Sequence, residues 1–297
     1  MNDHPLPDEA PVPLVIGPAV FAWGERTFVM GIINVTPDSF SGDGLLAAGD
    51  PVEVALVQAR QMVADGADLL DIGGASSRPG HVPLDPADEA ARVLPVIRAL
   101  AVALPGTPLS IDTTSPMVAA AALDAGADLL NDIWGIRDDP GMVRLAAERG
   151  VPIVLMHNRA EARYQDLVAE VVSDLRNALD RAVAAGVPRE RLIVDPGFGF
   201  GKTPDHNLAL LAGLGALRAL GRPILLGTSR KSTLGKVLDL PPDQRLEATT
   251  TTTALGIASG ADIVRVHDVR ENVRTARVAD VILRGWRPAG WPDGTGT

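Results

Sequence analysis

Three stretches of this chain nearly repeat one another. Gly66-Ala67-Asp68-Leu69-Leu70 runs into Asp71, Gly126-Ala127-Asp128-Leu129-Leu130 into Asn131, and Gly260-Ala261-Asp262-Ile263-Val264 into Arg265. In each, a Gly suited to ending a helix precedes a short apolar run that fits a buried strand, and a different polar side chain falls five residues after the Gly. Recurrence of this kind marks equivalent places in repeated α/β units. It restricts the chain to parallel strands wrapped by helices.

The rest of the sequence keeps the same alternation. Helix starts are marked by a capping residue followed by Pro at Asp50-Pro51, Asp85-Pro86, Ser115-Pro116, Asp139-Pro140 and Thr203-Pro204. Strands are predicted over 29–34, 69–72, 109–112, 129–131, 153–156, 192–195, 224–227 and 263–266. Helices are predicted near 51–65, 86–103, 116–125, 140–149, 161–185, 204–220, 230–259 (broken near Pro241-Pro242) and 269–283. Eight alternations predict an α/β fold of one domain, a closed (β/α)8 TIM barrel, over 27–284. Residues 1–26 read as a Pro-rich lead-in with a short hairpin near Leu14 to Phe28, and 285–297 as a surface or disordered tail. With 46% hydrophobic residues but only five Phe, four Trp and one Tyr, the core must be mostly Ala, Val, Leu and Ile, which suits buried parallel strands.

A formal charge of −10 argues against nonspecific binding to nucleic acid or an anionic membrane, since both need a cationic face. The absence of Cys removes disulfides, thiolate catalysis and thiolate-held metals, and fits a reducing, cytoplasmic setting. No cationic segment with an apolar core opens the chain, and no uncharged apolar run is long enough for a membrane span.

In a parallel barrel, chemistry collects at the C-terminal ends of the strands. Those ends carry Asn34, Asp71, Asp112, Asn131, His157 and Asp195, with Lys231 just past the seventh strand and Arg265 and His267 on one face of the eighth. Arg191 to Lys202 is the sharpest case: the apolar run Leu192-Ile193-Val194 stops at Asp195, and Pro196 and three glycines follow. Asp112, Asn131 and Asp195 can pair with a flat heterocycle that displays ring N–H, amine and carbonyl groups. Arg265, His267, Arg78 and Lys231 suit a phosphate-bearing or otherwise anionic substrate. Blander readings stand beside these. Asp195 and Asn131-Asp132 could be turn residues, His157 reads better as a satisfied core histidine, and Thr249–Thr253 reads as a β-branched helix patch without chemistry. Gly201-Lys202-Thr203 is not a P-loop, because the position five before Gly201 is Pro196.

Seven segments in chain order resemble the dihydropteroate synthase family: Gly31 to Phe40, Asp71 to Gly80, Ser110 to Thr113, Asn131 to Ile133, Asp195 to Lys202, Ser229 to Ser232 and Arg265 to Val269. The resemblance implies condensation of 6-hydroxymethyl-7,8-dihydropterin pyrophosphate with p-aminobenzoate, giving dihydropteroate and pyrophosphate in folate synthesis. It also implies that Asp112, Asn131, Asp195 and Lys231 hold the pterin, with Met156 and Phe200 touching its ring or the adjoining site. By the same resemblance Arg265, His267 and Asn34 serve pyrophosphate and Mg2+, with Asn34 as the metal's protein ligand. Ser77, Arg78 and Ser232 help to form the aminobenzoate site, and the family suggests a homodimer through the last helices.

Two loops depart from the family pattern. The usual Ser-Asp-Gly-Gly after Phe40 is Ser41-Gly42-Asp43-Gly44 here, and the usual Glu-Ser-Thr-Arg is Ala75-Ser76-Ser77-Arg78. Both changes bear on aminobenzoate affinity, turnover and inhibitor response. A pterin-binding methyltransferase domain shares the barrel and the Asp/Asn contacts, but it releases no pyrophosphate, so the S-R-K-S and R-V-H sets speak against it. A noncatalytic pterin-binding barrel is the remaining alternative.

Overall fold

A computed structural model of the chain describes residues 11–36, 50–74, 84–135 and 139–291. A short antiparallel hairpin, β1 (Leu14–Ile16) and β2 (Ala19–Phe21), comes first. Eight parallel strands follow: β3 (Phe28–Asn34), β4 (Leu69–Gly73), β5 (Leu109–Asp112), β6 (Leu129–Asp132), β7 (Ile153–Met156), β8 (Leu192–Asp195), β9 (Leu225–Leu226) and β10 (Ile263–Val266). Their order is β8-β7-β6-β5-β4-β3-β10-β9. The ring closes where Val194 bridges Ile224 and its N–H donates to the Pro223 carbonyl at 3.0 Å. The helices are α1 (Pro51–Ala64), α2 (Pro86–Ala103), α3 (Pro116–Ala125), α4 (Gly141–Arg149), α5 (Leu167–Ala184), α6 (Pro204–Ala212), α7 (Ser232–Leu238), α8 (Leu246–Ala258) and α9 (Val269–Leu283). The eight predicted strands and the barrel are therefore observed.

The capping signals act as their chemistry requires. Asp50, Asp85, Ser115 and Thr203 each accept a backbone N–H of the first helical turn, and Thr203 forms a reciprocal capping box with His206. Asp139 accepts the Gly141 N–H at 2.9 Å, which moves the start of α4 one residue past the expected Pro140.

Other boundaries also differ from expectation. The helix expected from 161 starts at Leu167, because Asp166 caps it and Glu170 turns back to accept the N–H groups of Gln165 and Asp166. The span 204–220 is split at Gly213, after which Leu214–Leu220 winds as a 3-10 helix. Strand β9 is shorter than 224–227, since the Ile224 N–H is taken by the Asp262 carboxylate.

The near-repeat has a structural purpose at the N-terminal end of the barrel. The Asp68, Asp128 and Asp262 carboxylates accept the N–H groups of Val29, Leu109 and Ile224 at 2.8, 3.0 and 3.0 Å. Their own N–H groups donate to the carbonyls of the same three residues. Each unit thus fastens its strand to the neighbouring one at two points. The hairpin plugs this end. Leu14, Ile16, Phe21 and Trp23 join Phe28 under an inner layer of Met30, Leu69, Leu129, Val154, Ile193, Leu225 and Ile263. Phe21 and Phe28 stack at 4.6 Å between centroids. A larger apolar layer lies between strands and helices.

Candidate active site

The inner layer fixes where the polar side chains go. Strand residues alternate between faces, so the residue two beyond an inner-layer residue faces the barrel axis again, one level nearer the C-terminal rim. Two beyond Leu69, Leu129, Val154, Ile193 and Ile263 stand Asp71, Asn131, Met156, Asp195 and Arg265. Asp112 stands two beyond the fully buried Ser110. Residues that read as strand ends in the sequence therefore share one mouth.

At its floor is Asp71, whose side chain is 0% exposed. Arg265 Nε donates to Asp71 Oδ2 at 2.6 Å, and Asn131 Nδ2 donates to the same oxygen at 3.0 Å. Arg265 Nη2 donates to Asp112 Oδ2 at 2.7 Å. The heterocycle-pairing set and the cationic set are thus joined, since one carboxylate of the first set neutralises Arg265 of the second. Burial pushes Asp112 up to about 7 against the pull of Arg265, and the charges of Asp71 and Glu89 push the same way. Burial opposes the charge on Arg265, but Asp71 and Asp112 outweigh it, so its affinity for the proton rises.

The turn after β8 builds the adjoining wall. Asp195 is buried and accepts the Gly197 N–H at 2.6 Å, while burial raises its pKa against the attraction of Lys231. The turn passes so close to its neighbours that a Cβ on Gly197 would collide with the His157 carbonyl, and one on Gly201 with the Arg159 carbonyl. Lys231 reaches over this turn. Its ammonium donates to the Phe198 carbonyl and lies 4.3 Å from the centroid of the Phe200 ring. Burial lowers Lys231 to about 8, despite the nearby Asp195. Met156 is buried at the end of β7, and Ser232 is exposed as the first residue of α7, beside Lys231.

His157 is a satisfied core histidine. Its ring is fully buried between the Asp174 carboxylate at 3.2 Å and the Lys202 ammonium at 3.0 Å. Burial and the Lys202 charge lower its pKa to about 4. Lys202 also donates to the carbonyls of Gly197 and Phe200, both at 3.0 Å, so it binds the turn as a phosphate would be bound in the motif it fails to match. The turn is further tied to α7 through Asn207, which accepts the Gly199 N–H and donates to Thr233.

His267 faces the turn after β9, where Ser229 Oγ meets its Nδ1 at 2.9 Å and accepts its N–H at 3.2 Å. Burial and the charges of Arg230 and Arg265 lower its pKa to about 3, so the ring is neutral at pH 7. Asn34 ends β3 in register with Gly73. A Cβ on Gly73 would lie 3.7 Å from Asp112 Oδ2 and 3.9 Å from Asn34 Oδ1, so these two oxygens flank one gap at the rim. Asp112 Oδ2 is already engaged by Arg265, which leaves the Asn34 oxygen as the hard donor suited to Mg2+ that keeps waters and takes phosphate oxygens. No cluster of three His, Cys, Asp or Glu able to cage a metal occurs among the described residues. Ser77 and Arg78 lie outside the described residues, as do Gly42 and Asp43.

Sequence reasoning named Asp71 at the rim but gave it no task, although a signal was present: Asp71, Asn131 and Arg265 are the three residues five after a repeat Gly, and the other two both donate to Asp71. Lys202 was passed over with the failed phosphate motif. Together the mouth offers acceptors in buried Asp195 and half-buried Asp112, a cation over an aromatic face, and a guanidinium beside a neutral imidazole. Such a set can bind a flat polar ring and an anionic group at once.

The comparisons with known proteins agree. A family model described as pterin binding enzyme matches residues 30–267. The dihydropteroate synthase of Bacillus subtilis (strain 168) is 49% identical over 266 residues, 90% of this chain and 92% of that protein. The crystal structure of dihydropteroate synthase from Clostridium difficile in the presence of pteroic acid superposes with a TM-score of 0.84 at 45% identity, covering 89% of this chain and 99% of that one. The Xanthomonas albilineans dihydropteroate synthase with 4-aminobenzoic acid has a TM-score of 0.82 at 41% identity, covering 87% and 94%. Barrel, mouth and relatives together establish that this chain belongs to the dihydropteroate synthase family of pterin-binding enzymes.

Proposed function

We propose that the chain catalyses the dihydropteroate synthase reaction, joining 6-hydroxymethyl-7,8-dihydropterin pyrophosphate to p-aminobenzoate and releasing pyrophosphate. The observation that carries this is the linked set Asn131, Asp71, Arg265 and Asp112, beside Asp195 and Lys231 at one rim. In this reading Asp195, Asp112 and Asn131 pair with the edge of the pterin. Phe200, Met156 and Lys231 enclose its ring. Arg265 and His267 face the diphosphate, and Ser232 with Ser77 and Arg78 serves the aminobenzoate.

The aniline nitrogen forms a bond to the pterin methylene carbon. The carbon–oxygen bond to diphosphate breaks, the diphosphate leaves with the electron pair, and the nitrogen loses one proton. Arg265 is suited to the charge growing on the leaving group, because it is already oriented by Asp71 and needs no reorganisation. Neutral His267 can donate one hydrogen bond without surrendering a proton. Mg2+ bound through Asn34 would neutralise diphosphate charge.

Incubation with the dihydropterin pyrophosphate and Mg2+, with and without p-aminobenzoate, tests the proposal. Pyrophosphate and dihydropteroate should form together only with both substrates, and chelating Mg2+ should stop both. Pterin binding without turnover would favour a noncatalytic barrel. The same reading includes a homodimer, for which the apolar outer face formed by Leu255, Val278, Ile282 and Leu283 on α8 and α9 is suited. Sedimentation of Ile282→Lys against the unaltered chain tests that. A cytoplasmic setting accords with a chain that has no Cys, and no described helix is long and apolar enough to cross a membrane. The net charge of −10 gives no support to a nucleic-acid partner.

A further inference from the structure

Helix α8 carries five consecutive threonines, Thr249 to Thr253. Thr249, Thr252 and Thr253 are buried, at the i, i+3, i+4 spacing of one helix face, while Thr251 is exposed. Val would fill the same volume without a hydroxyl, so three buried hydroxyls on an inward face each need a partner. Each has one beyond its own helix.

Thr249 Oγ1 accepts the Arg230 N–H at 3.2 Å. Thr252 Oγ1 and Thr228 Oγ1 lie 2.8 Å apart. Thr253 Oγ1 donates to Asn272 Oδ1 at 2.7 Å, and Asn272 Nδ2 donates to the Asp268 carbonyl at 2.7 Å. Two of these partners, Arg230 and Thr228, lie in the turn after β9, which ends in Lys231, and the third, Asn272 in the first turns of α9, passes the contact on to Asp268, the residue after His267. The two places are also linked to each other, through Ser229 to His267 and through Arg230 Nε to Asp268 Oδ2 at 3.0 Å.

Arg230 has φ of +58°, a left-handed conformation that a residue with a side chain keeps only when its surroundings hold it. Here the N–H is held by Thr249, the carbonyl by Arg245 Nη1 at 2.9 Å, and the guanidinium by Asp268. The chain reversal at Arg230 lets Ser229 face His267 while Lys231 extends to the Phe198 carbonyl and the Phe200 ring.

We propose that Thr249, Thr252 and Thr253 are positioning residues, a hydroxyl ladder that holds the Ser229–Lys231 turn and the His267–Asp268 turn in register. Lys231 on one turn and His267 on the other then address the ring and the diphosphate of one substrate. The inference rests on the synthase reading given above.

The test is Thr249→Val, which keeps the volume and removes the acceptor for Arg230, beside Thr249→Ser, which keeps the hydroxyl, and Thr251→Val as an exposed control. Thr249→Val should lower kcat/KM for the dihydropterin pyrophosphate about tenfold, the scale set by one buried N–H left without its acceptor. It should also weaken binding of inorganic pyrophosphate, read by calorimetry, by about the same factor. Thr249→Ser should restore both, and Thr251→Val should leave both unchanged. Wild-type kinetics and pyrophosphate affinity in Thr249→Val would overturn the proposal, and so would a Thr249→Ser variant as impaired as Thr249→Val, since packing alone would then explain the loss. An unaltered chain that forms no dihydropteroate would defeat the synthase reading instead, and pyrophosphate affinity would still decide whether the ladder positions the turns.

Discussion

Arg265 and Asp71 are 194 residues apart in sequence and 2.6 Å apart at their side chains, in the middle of a ring of eight strands. Each stands five residues after a helix-ending Gly of the near-repeat, and the third such residue, Asn131, bonds to the same Asp71 oxygen. Equivalent places in three barrel units have thus taken an anion, a cation and an amide that meet at one oxygen. Two donors, one of them charged, converge on Asp71 Oδ2 and offset part of the cost of burying the carboxylate, while its Oδ1 has no hydrogen-bond partner among the described residues.

Removing the carboxylate should therefore damage the fold before it damages the chemistry. Asp71→Ala leaves a buried guanidinium with Asp112 as its remaining partner, and deprives Asn131 of its acceptor. Breaking a buried pair from one side costs roughly 3–5 kcal/mol, which for a chain of this size lowers Tm by about 5–8 °C. Calorimetric melting decides it, and a Tm within about 2 °C of the unaltered chain, about 1 kcal/mol on that scale, would show that Asp71 is not the anchor described here.

Asp112 should make pterin binding depend on pH. Its pKa is raised to about 7, mainly by burial. The ionised carboxylate only accepts, whereas the protonated form turns an O–H donor toward the donors of a pterin edge, so below that pKa a proton leaves on binding. Affinity should fall by up to about tenfold per pH unit below 7 and level off above it. Titration at pH 6 in buffers of different ionisation enthalpy should detect the released proton, and Asp112→Asn should flatten the profile. For the free protein the sign is opposite. The folded chain binds more protons than the unfolded one between 3.8 and about 7, so this group's contribution to stability declines as pH rises through that window.

Much of this was legible because its causes are local. Asp85 and Thr203 cap helices that begin one residue later, and Leu192-Ile193-Val194 makes a strand of the expected length. What escaped depends on contacts far along the chain. Nothing near Asp71 in sequence names Arg265 as its partner, and nothing near Thr249 points to Arg230. Lys202 followed a Gly, as in a phosphate loop, yet the groups around its ammonium are carbonyls of its own turn and the His157 ring. The lead-in is more than a linker, because its hairpin supplies Phe21 and Trp23 to the floor of the barrel.

The glycines after Asp195 should separate by what lies next to them. Gly197 has φ of +70° and no room for a Cβ beside the His157 carbonyl, whereas Gly221 has φ of +62° with nothing near it. Gly221→Ala should cost about 1 kcal/mol, the backbone strain alone. Gly197→Ala adds a collision and disturbs the N–H held by Asp195, so it should cost at least about 3 kcal/mol and abolish pterin binding. Urea midpoints of the two variants provide the comparison, and equal costs would mean that the turn does not approach β7 as described.

His157 should make the fold sensitive to acid in a window of its own. Lys202 donates to Nδ1, so the ring proton sits on Nε2 and is shared with Asp174, which leaves the imidazole neutral. Burial, then the Lys202 charge, lowers its pKa from 6.5 to about 4. Between those values the unfolded chain takes up a proton that the folded chain refuses, so stability present above 6.5 is lost as pH falls toward 4, at up to about 1.4 kcal/mol per pH unit. Lys202 acts elsewhere, since its pKa is lowered to about 7 and its contribution rises with pH between there and 10.5. His157→Gln removes the titrating ring and the buried contacts together, and it should be the less stable protein at pH 7. At pH 4.5 its deficit against the unaltered chain should shrink by about 2 kcal/mol, because only the unaltered chain has lost stability by then. A deficit that stays constant between the two pH values would mean that the ring already carries its second proton in the folded state, and that Lys202 does not donate to it.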